Sequence, residues 1–351
     1  MESRDGAAFG YRVATLIIAV VVVCAAASLA RSVLGPLAAA LFIMGIVWPA
    51  QKWLQSRIPQ LAALAIVLLL TITICLAFTS LAAWAFGRVG HFLIADAARY
   101  QAYYERAVAW LDNHGIEVAG LWAEYFNVGW VLRAMPYLTG RVNTILSFWL
   151  IALVYVVLGL IEIDDVGRRI DRLQNRTAAR VLRDGSRATA VKFRKYLLVR
   201  TQMSVVTGLL VALFAAGTGL PFAFEWGVIA FVLNYIPFVG PFIATVFPTL
   251  VEMAQLSSWG AVLGVFACLN IIQFVIGSYI EPRVSGAVLA MSPTVVLFAV
   301  FFGMFLWGLF GAFIGVPIAI AIITFCSHNP SSRWVADYLG GPMEGKSLAK
   351  G

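Results

Sequence analysis

The sequence contains few charged residues, few cysteines and few histidines. Only 12% of its 351 residues are Asp, Glu, Lys or Arg, whereas a soluble domain carries about 25%. The four cysteines form no C-x-x-C pair, so the sequence indicates neither a disulfide framework nor a zinc site. The three histidines are scattered without the spacing of metal ligands. We therefore expect no bound metal and no cofactor.

Motifs for catalysis and for nucleic-acid binding are missing as well. Neither G-x-S-x-G nor H-E-x-x-H occurs, which argues against the hydrolases and metalloproteases that carry them. Much of the net charge of +8 lies in one segment instead of forming a stripe along a soluble fold. We therefore expect the protein not to be an enzyme and not to bind nucleic acid.

Long apolar runs dominate the sequence, in which 62% of the residues are hydrophobic. Most of these runs approach or exceed the roughly 20 residues that a membrane-spanning helix needs. They do not alternate between apolar and polar residues, which argues against a transmembrane barrel. We predict an all-α polytopic membrane protein with about six to eight transmembrane helices. The predicted apolar runs are 13–30, 33–48, 61–86, 144–161, 205–220, 222–251, 259–280 and 295–325.

Basic residues predict the orientation of the chain. Eleven of them lie between Asp164 and Arg200, opposed by four aspartates. Because Lys and Arg accumulate in cytoplasmic loops, we place this segment and both termini in the cytoplasm. Within a single membrane domain, 1–351, the predicted regions are three N-terminal transmembrane helices (13–86), an external amphipathic helical region (87–143), a fourth transmembrane helix (144–161), a basic cytoplasmic amphipathic loop (164–200), a transport core (205–326) and a cytoplasmic tail (327–351).

Two of the apolar runs are interrupted by helix-breaking residues. The stretch L-N-Y-I-P-F-V-G-P-F-I-A-T-V-F-P, residues 233–248, holds three prolines, a glycine and an asparagine. The run 293–325 is broken centrally by Gly308, Gly311, Gly315 and Pro317. Proline removes a helical hydrogen bond and clashes with the preceding turn. We predict two broken or re-entrant helical hairpins in the C-terminal half.

The two broken segments resemble each other. Residues 239–248 read V-G-P-F-I-A-T-V-F-P and residues 310–317 read F-G-A-F-I-G-V-P. If both are re-entrant, the second copy is inverted relative to the first, which is a recurring plan of secondary transporters. Eight straight spans are the alternative, and they place Ile280–Arg283 outside instead of inside. The G-x-x-x-G pairs Gly260–Gly264 and Gly311–Gly315 predict close helix packing.

Interrupted backbone at membrane depth is tolerated where protein or water covers it. We therefore predict that the breaks line a solute path and that freed backbone groups replace the hydration of the solute; a structural kink between packed helices is the alternative. Glu281 and Arg283 flank Pro282 and are predicted to pair locally and to act in coupling or gating, with an interfacial helix end as the alternative. The predicted path residues are Asn234, Tyr235, Pro237, Gly240, Pro241, Gln273, Gly311 and Pro317.

The motifs N-Y-I-P-F-V-G-P (234–241), E-P-R-V-S-G (281–286) and G-L-F-G-A-F-I-G-V-P (308–317) together resemble the autoinducer-2 exporter family of bacterial membrane transporters. The layout is similar over nearly the whole chain. The resemblance implies a secondary transporter in the bacterial cytoplasmic membrane that contacts membrane lipid and forms a homo-oligomer, with a pentamer as the implied form. Ser292 departs from the family, in which many members carry His there, so proton coupling through this position is doubtful.

Family members are linked to export of autoinducer-2 or to Na⁺/H⁺ exchange. We hypothesise a secondary transporter that exports a small polar solute, an autoinducer-2-like signalling molecule or a related metabolite, by alternating access, with H⁺ or Na⁺ as the coupling ion. One alternative is an Na⁺/H⁺ or other cation/proton antiporter that uses the Glu281 carboxylate. A second alternative is a non-transporting membrane scaffold whose basic segment and external region recruit partners.

Overall fold

The computed structural model describes residues 2–96, 98–99, 101–102, 105–106, 109, 113, 142–253, 259–285 and 291–340. Regular structure in these residues is helical, apart from one isolated β-bridge between Met291 and Gly340. The helices are α1 (Glu2–Leu29), α2 (Arg31–Gln55), α3 (Gln60–Ala95), α4 (Val142–Asp171), α5 (Arg176–Gly217), α6 (Ala223–Leu233), α7 (Val239–Met253), α8 (Trp259–Phe274), a π-helix (Val275–Ile280), α9 (Glu281–Ser285), α10 (Pro293–His328) and α11 (Arg333–Leu339).

Several helices have the length and composition of membrane spans. Large apolar side chains are exposed along them, with Leu213 67% and Phe305 76% exposed, whereas soluble monomers rarely expose extended apolar surface. The prediction of an all-α polytopic membrane protein is confirmed. In the described part of the chain, six helices are long and apolar enough to cross a membrane: Arg31–Gln55, Gln60–Ala95, Leu146–Asp171, Arg176–Gly217, Trp259–Val284 and Pro293–His328.

The predicted regions can be followed only in part. The first predicted span coincides with α1, in which the described apolar stretch is Ile18–Leu29, shorter than a span, so its crossing stays a prediction. Most of the external region 87–143 and the end of the tail 327–351 lie outside the described residues. The basic segment 164–200 lies mostly at the end of α4 and in the first part of α5, which continues without a break into the predicted transport core.

The chain divides into two compact units that interleave along the sequence. Unit 1 comprises Met1–Trp53, Ser147–Phe193 and Ala290–Gly351, and unit 2 comprises Leu54–Leu146 and Arg194–Leu289. Helix α5 therefore begins in unit 1 and ends in unit 2.

In unit 1, α10 changes direction at Trp307 and Gly308, where the backbone is not helical. Gly308 has φ +67°, the left-handed region that favours glycine. The arms on either side, 293–306 and 309–328, contact each other through backbone. A Cβ atom added at Gly311 would lie 1.9 Å from the carbonyl oxygen of Gly303. The packing role predicted for Gly311 is thereby confirmed, because only a residue without Cβ fits there.

The bend of α10 is also fixed by a side chain. Trp307 donates a hydrogen bond from Nε1 to the carbonyl of Ala27 in α1 at 3.0 Å. Farther along the second arm, the ring of Phe310 lies 4.6 Å from that of Phe148 in α4. These contacts hold the bend against neighbouring helices of unit 1.

In unit 2, α6 is buried on nearly all sides. Trp226 is 1% and Ile229 2% exposed, and both belong to a core that also contains side chains of α3, α5, α7 and α8. Residues 234–238 connect α6 to α7, and these two helices pack against each other. The connection is short enough to make the two helices direct neighbours. Gly240 allows the start of α7 to lie close to the end of α6, since a Cβ added at Gly240 would lie 1.9 Å from the carbonyl oxygen of Leu233.

We predict that Gly311→Ala destabilises the protein by about 2 kcal/mol, because the new methyl group would force apart the two arms of α10. Gly264→Ala is the matched control. Nothing lies within 4 Å of a Cβ added at Gly264, so the packing role predicted for that residue finds no partner in the described structure. Thermal unfolding of the purified protein in detergent measures both changes. A loss at Gly311 no larger than that at Gly264 would contradict the close contact.

Candidate functional site

Helices α5 and α6 touch through two glycines in unit 2. A Cβ added at Gly208 would lie 2.7 Å from the carbonyl oxygen of Gly227, and one added at Gly227 would lie 2.7 Å from that of Gly208. Small residues at a crossing allow two helix backbones to approach each other closely within a membrane. The contact brings the end of α6, and the break that follows it, against the polar face of α5.

Four side chains meet at this break and form what we call the polar cluster: Thr201, Ser204, Asn234 and Tyr235. Asn234 donates from Nδ2 to Oγ of Ser204 at 3.3 Å, and the Tyr235 hydroxyl donates to Oγ1 of Thr201 at 2.9 Å. Ser204 is fully buried and Asn234 is 4% exposed. Burying polar groups costs free energy unless they are hydrogen-bonded, so the two contacts explain how an apolar unit tolerates the cluster.

An ion pair lies one helical turn from Ser204 along α5. Arg200 contacts both carboxylate oxygens of Glu281 through Nη1, at 3.0 and 3.1 Å. Arg200 is 8% exposed. Glu281 directly follows the π-helix, whose Ile276 packs on α5 at Val199 and Met203. Single π turns inside α-helices are frequent at functional sites; here the packing of the π-helix on α5 places Glu281 beside Arg200.

A second ion pair joins α3 to α6. Arg88 lies 2.7 Å from Glu225, and the Glu225 side chain is 6% exposed. The guanidinium carbon of Arg88 also lies 5.6 Å from the centre of the Trp84 ring, a cation–π distance. The burial of the Glu225 carboxylate and its partner Arg88 show a specific contact.

The two ion pairs lie on opposite sides of the polar cluster. On α6, Glu225 precedes Asn234 by nine residues, which is about 13 Å along a helix. On α5, Arg200 precedes Ser204 by one turn, and Gly208 follows Ser204 by another. Since Gly208 faces Gly227 and Ser204 faces Asn234, the order along unit 2 is the Glu225 pair, the glycine contact, the polar cluster and then the Arg200 pair.

The backbone at the first break differs from the expectation. The N–H groups of Asn234, Tyr235, Ile236, Val239 and Gly240 all donate to carbonyls between Ala230 and Pro237. The prediction that freed N–H groups would contact a solute is therefore wrong at these positions. Local turns provide hydrogen-bond acceptors for these N–H groups, so the polarity of this site comes from buried side chains.

Other predicted residues of unit 2 lie close to the break along the chain. Pro237 and Gly240 are buried, and Pro241 lies half-buried in the first turn of α7. Gln273, in α8, has a buried Nε2 with no hydrogen-bond partner among the described residues. Arg283 is exposed beside the ring of Tyr279, at 5.4 Å; the local pair with Glu281 is wrong, because that carboxylate pairs with Arg200.

Two predicted path residues belong to unit 1. Gly311 and Pro317 lie in the second arm of α10, beyond the bend at Trp307 and Gly308, and both are buried. The sequence offered Gly308, Gly311, Gly315 and Pro317 as the interruption, and the backbone leaves the helical conformation at the first of them, Gly308, and at Trp307. Their role in a solute path stays a prediction.

Sequence reasoning missed Tyr196, Thr201 and Ser204, and assigned Arg200 only to the basic segment. The signal was present, since Tyr196, Arg200 and Ser204 follow one another at intervals of four residues on one face of α5. Within the described residues, no group of three His, Cys, Asp or Glu could hold a metal ion.

We predict that Arg88→Met destabilises the protein by about 2 kcal/mol because it leaves the Glu225 carboxylate buried without its partner. This is below the ~3–5 kcal/mol typical of a broken buried pair, because the Arg88 side chain is 56% exposed. Adding Glu225→Gln should recover most of the loss. Arg168→Met, in an exposed pair with Asp165, should change stability by less than about 0.5 kcal/mol. Equal losses at both arginines in detergent unfolding would contradict the assignment.

Comparison with known proteins identifies the family. The model of the AI-2E family transporters matches residues 16–330. Among its relatives is the AI-2 transport protein TqsA of Escherichia coli strain K12, 24% identical over 315 residues, which are 89% of this chain and 91% of that protein. A putative transport protein of Borreliella burgdorferi is 27% identical over 59% of this chain and 58% of its own length.

A third relative is the putative transport protein YrrI of Bacillus subtilis, which is 33% identical over 42% of this chain and 40% of its own length. These names denote transport proteins, so the expectation that the chain is not an enzyme is confirmed, as is the resemblance seen in its motifs. Since the family match covers most of the chain, this multi-pass membrane protein belongs to the AI-2E family of transporters.

Proposed function

We propose that the protein is a secondary transporter that exports a small polar solute across the bacterial cytoplasmic membrane by alternating access. The observation that carries this proposal is the polar cluster in unit 2, buried between two ion pairs. Polar side chains gathered beside a break and between two ion pairs favour a solute site over a scaffold, in which apolar packing alone could hold the same helices together. The solute named for the relative TqsA, AI-2, makes an autoinducer-2-like molecule or a related metabolite the first candidate.

The two ion pairs support alternating access. Ionisable groups within membrane helices are costly and usually serve function. Arg88 with Glu225, and Arg200 with Glu281, each join a helix to another element of unit 2 on one side of the polar cluster. Breaking one pair while the other stays closed would open the cluster to one side of the membrane at a time. We propose that the pairs are the two gates.

The cation/proton antiporter remains the second candidate, because Glu281 is a half-buried carboxylate close to the polar cluster. An incoming cation would have to displace Arg200, which already neutralises that carboxylate. The ion pair with Arg200 therefore favours a gating role for Glu281 over a role as a cation site. H⁺ or Na⁺ as the coupling ion stays a proposal.

For the arrangement in the membrane, we propose that both hairpins, α6–α7 and the two arms of α10, are re-entrant and form an inverted repeat. Cytoplasmic termini and a homo-oligomer, with a pentamer as the implied form, complete the proposal. Support for the repeat comes from the similar motifs at 239–248 and 310–317 and from a close glycine contact in each hairpin.

We predict that Asn234→Leu abolishes solute flux while the protein stays folded, because the substitution removes the amide from the polar cluster. Asn270→Leu is the matched control, since its exposed amide bonds only the Phe266 carbonyl of its own helix at 2.8 Å. Uptake of labelled AI-2 and of other small polar solutes into vesicles that contain the purified protein measures both. Flux that is equally retained in the two variants would contradict a path through the cluster.

Re-entrant hairpins place Ser285 on the same side of the membrane as the basic segment. We therefore expect Ser285→Cys, in a cysteine-free background, to react with an impermeant maleimide only after the membrane is permeabilised. Arg180→Cys, in the exposed basic part of α5, is the cytoplasmic reference. Labelling of Ser285→Cys in intact cells would exclude the re-entrant arrangement in favour of straight spans.

A further inference from the structure

Arg200 uses only part of its hydrogen-bonding capacity. Both Glu281 oxygens lie at the same nitrogen, Nη1, at 3.0 and 3.1 Å. A guanidinium presents its N–H groups in forks that match the two oxygens of a carboxylate, so that each oxygen receives its own donor. Here the oxygens share one nitrogen, and the buried Nε–H of Arg200 has no partner among the described residues.

Tyr196 supplies a second group of this kind. It lies one helical turn before Arg200 on α5 and is 5% exposed. Its hydroxyl lies close enough to the Arg200 side chain to interact with it but makes no well-formed hydrogen bond in the described part of the chain. The guanidinium carbon of Arg200 lies 5.9 Å from the centre of the Tyr196 ring. Buried polar groups are almost always hydrogen-bonded. Two buried groups without a well-formed hydrogen bond on neighbouring turns therefore mark a place for an oxygen atom that the described residues do not supply.

The neighbouring side chains indicate which chemical group would supply that oxygen. Arg200 contributes positive charge, and its planar fork matches a planar group with two oxygens better than it matches a single hydroxyl. The next turn of α5 carries Thr201 and Ser204, whose hydroxyls belong to the polar cluster. A molecule that places a carboxylate against Arg200 could therefore direct its own hydroxyl groups toward the cluster.

We propose that Arg200 and Tyr196 bind the carboxylate of the transported solute, so that the substrate class is small hydroxycarboxylates. The inference rests on the proposed transport function and selects the related metabolite over autoinducer-2 itself as the solute, because autoinducer-2 carries no carboxylate. The carboxylate takes the Nε edge of Arg200, which Glu281 at Nη1 leaves free. Glu281 balances the positive charge of Arg200 when no solute is bound, and its own negative charge weakens the attraction for a solute carboxylate at the free edge.

Repulsion between the Glu281 carboxylate and the solute carboxylate makes the two partners of one ion pair respond in opposite directions when each is substituted. With lactate as the hydroxycarboxylate probe, Arg200→Lys keeps the charge but removes the Nε fork, and should weaken binding by about 10-fold or more. Tyr196→Phe keeps the ring but removes the hydroxyl, and should weaken binding by about 2- to 10-fold. Glu281→Gln removes the repelling charge and should tighten binding several-fold. If the ion pair were only structural, Arg200→Lys and Glu281→Gln would each weaken lactate binding or leave it unchanged.

The test uses the full chain purified in detergent. Isothermal titration and thermal stabilisation are measured with potassium lactate and with lactamide, its neutral analogue, at ionic strength held constant with potassium chloride. We expect lactate but not lactamide to bind and to raise the melting temperature. Asn270→Leu should bind as the unmodified protein does. The lactate–lactamide comparison needs no variant, so the proposal can be overturned even if Arg200→Lys fails to fold.

Equal responses to lactate and lactamide, or no response to either, would overturn the proposal. So would lactate binding that is unchanged in Arg200→Lys, because the anion would then bind elsewhere. Vesicle flux separates this inference from the proposed function. Flux of neutral solutes without any flux of lactate would support the proposed transport function and exclude the carboxylate site. Lactate binding with the expected variant pattern, but without flux of any solute, supports the site and removes the transport proposal.

Discussion

The close contact between α5 and α6 is the constraint on which the candidate site depends. Gly208 and Gly227 allow the two backbones to touch, and the hydrophobic effect supplies little force between helices surrounded by lipid, so close packing and hydrogen bonds must hold them together. With the helices at this distance, Asn234 reaches Ser204. A larger residue at either glycine would separate the helices and leave buried polar groups without partners.

Close backbone contact at a glycine also occurs within the interrupted segments themselves. In α10 the first arm meets the second at Gly303 and Gly311, and α6 meets the start of α7 where Gly240 lies under Leu233. In each interrupted segment a glycine brings the helical parts on either side of the break together. The breaks thus serve packing as well as polarity, and the local turns satisfy the backbone N–H groups of the first one. Side chains, not backbone, give the polar cluster its chemistry.

Much of this arrangement follows from residues that act on their neighbours in the chain. Pro237, Gly240 and the glycines near position 308 predicted two interrupted helices, because proline and glycine limit or relax the backbone where they stand. Asn234 and Tyr235 were predicted for the same reason, being polar residues next to a break. For the second interruption the sequence offered Gly308, Gly311, Gly315 and Pro317, and only the fold selects Gly308 among them for the left-handed turn.

By itself the sequence determined the membrane class, the helical content, the two interruptions and the family, because composition and local backbone chemistry require no knowledge of distant contacts. Only the tertiary structure decided that Glu281 pairs with Arg200, 81 positions away, instead of with Arg283. It likewise decided that Ser204 meets Asn234 and that Arg88 meets Glu225. Such pairings depend on how each helix is rotated about its axis and which helix lies beside it, and long-range packing sets both.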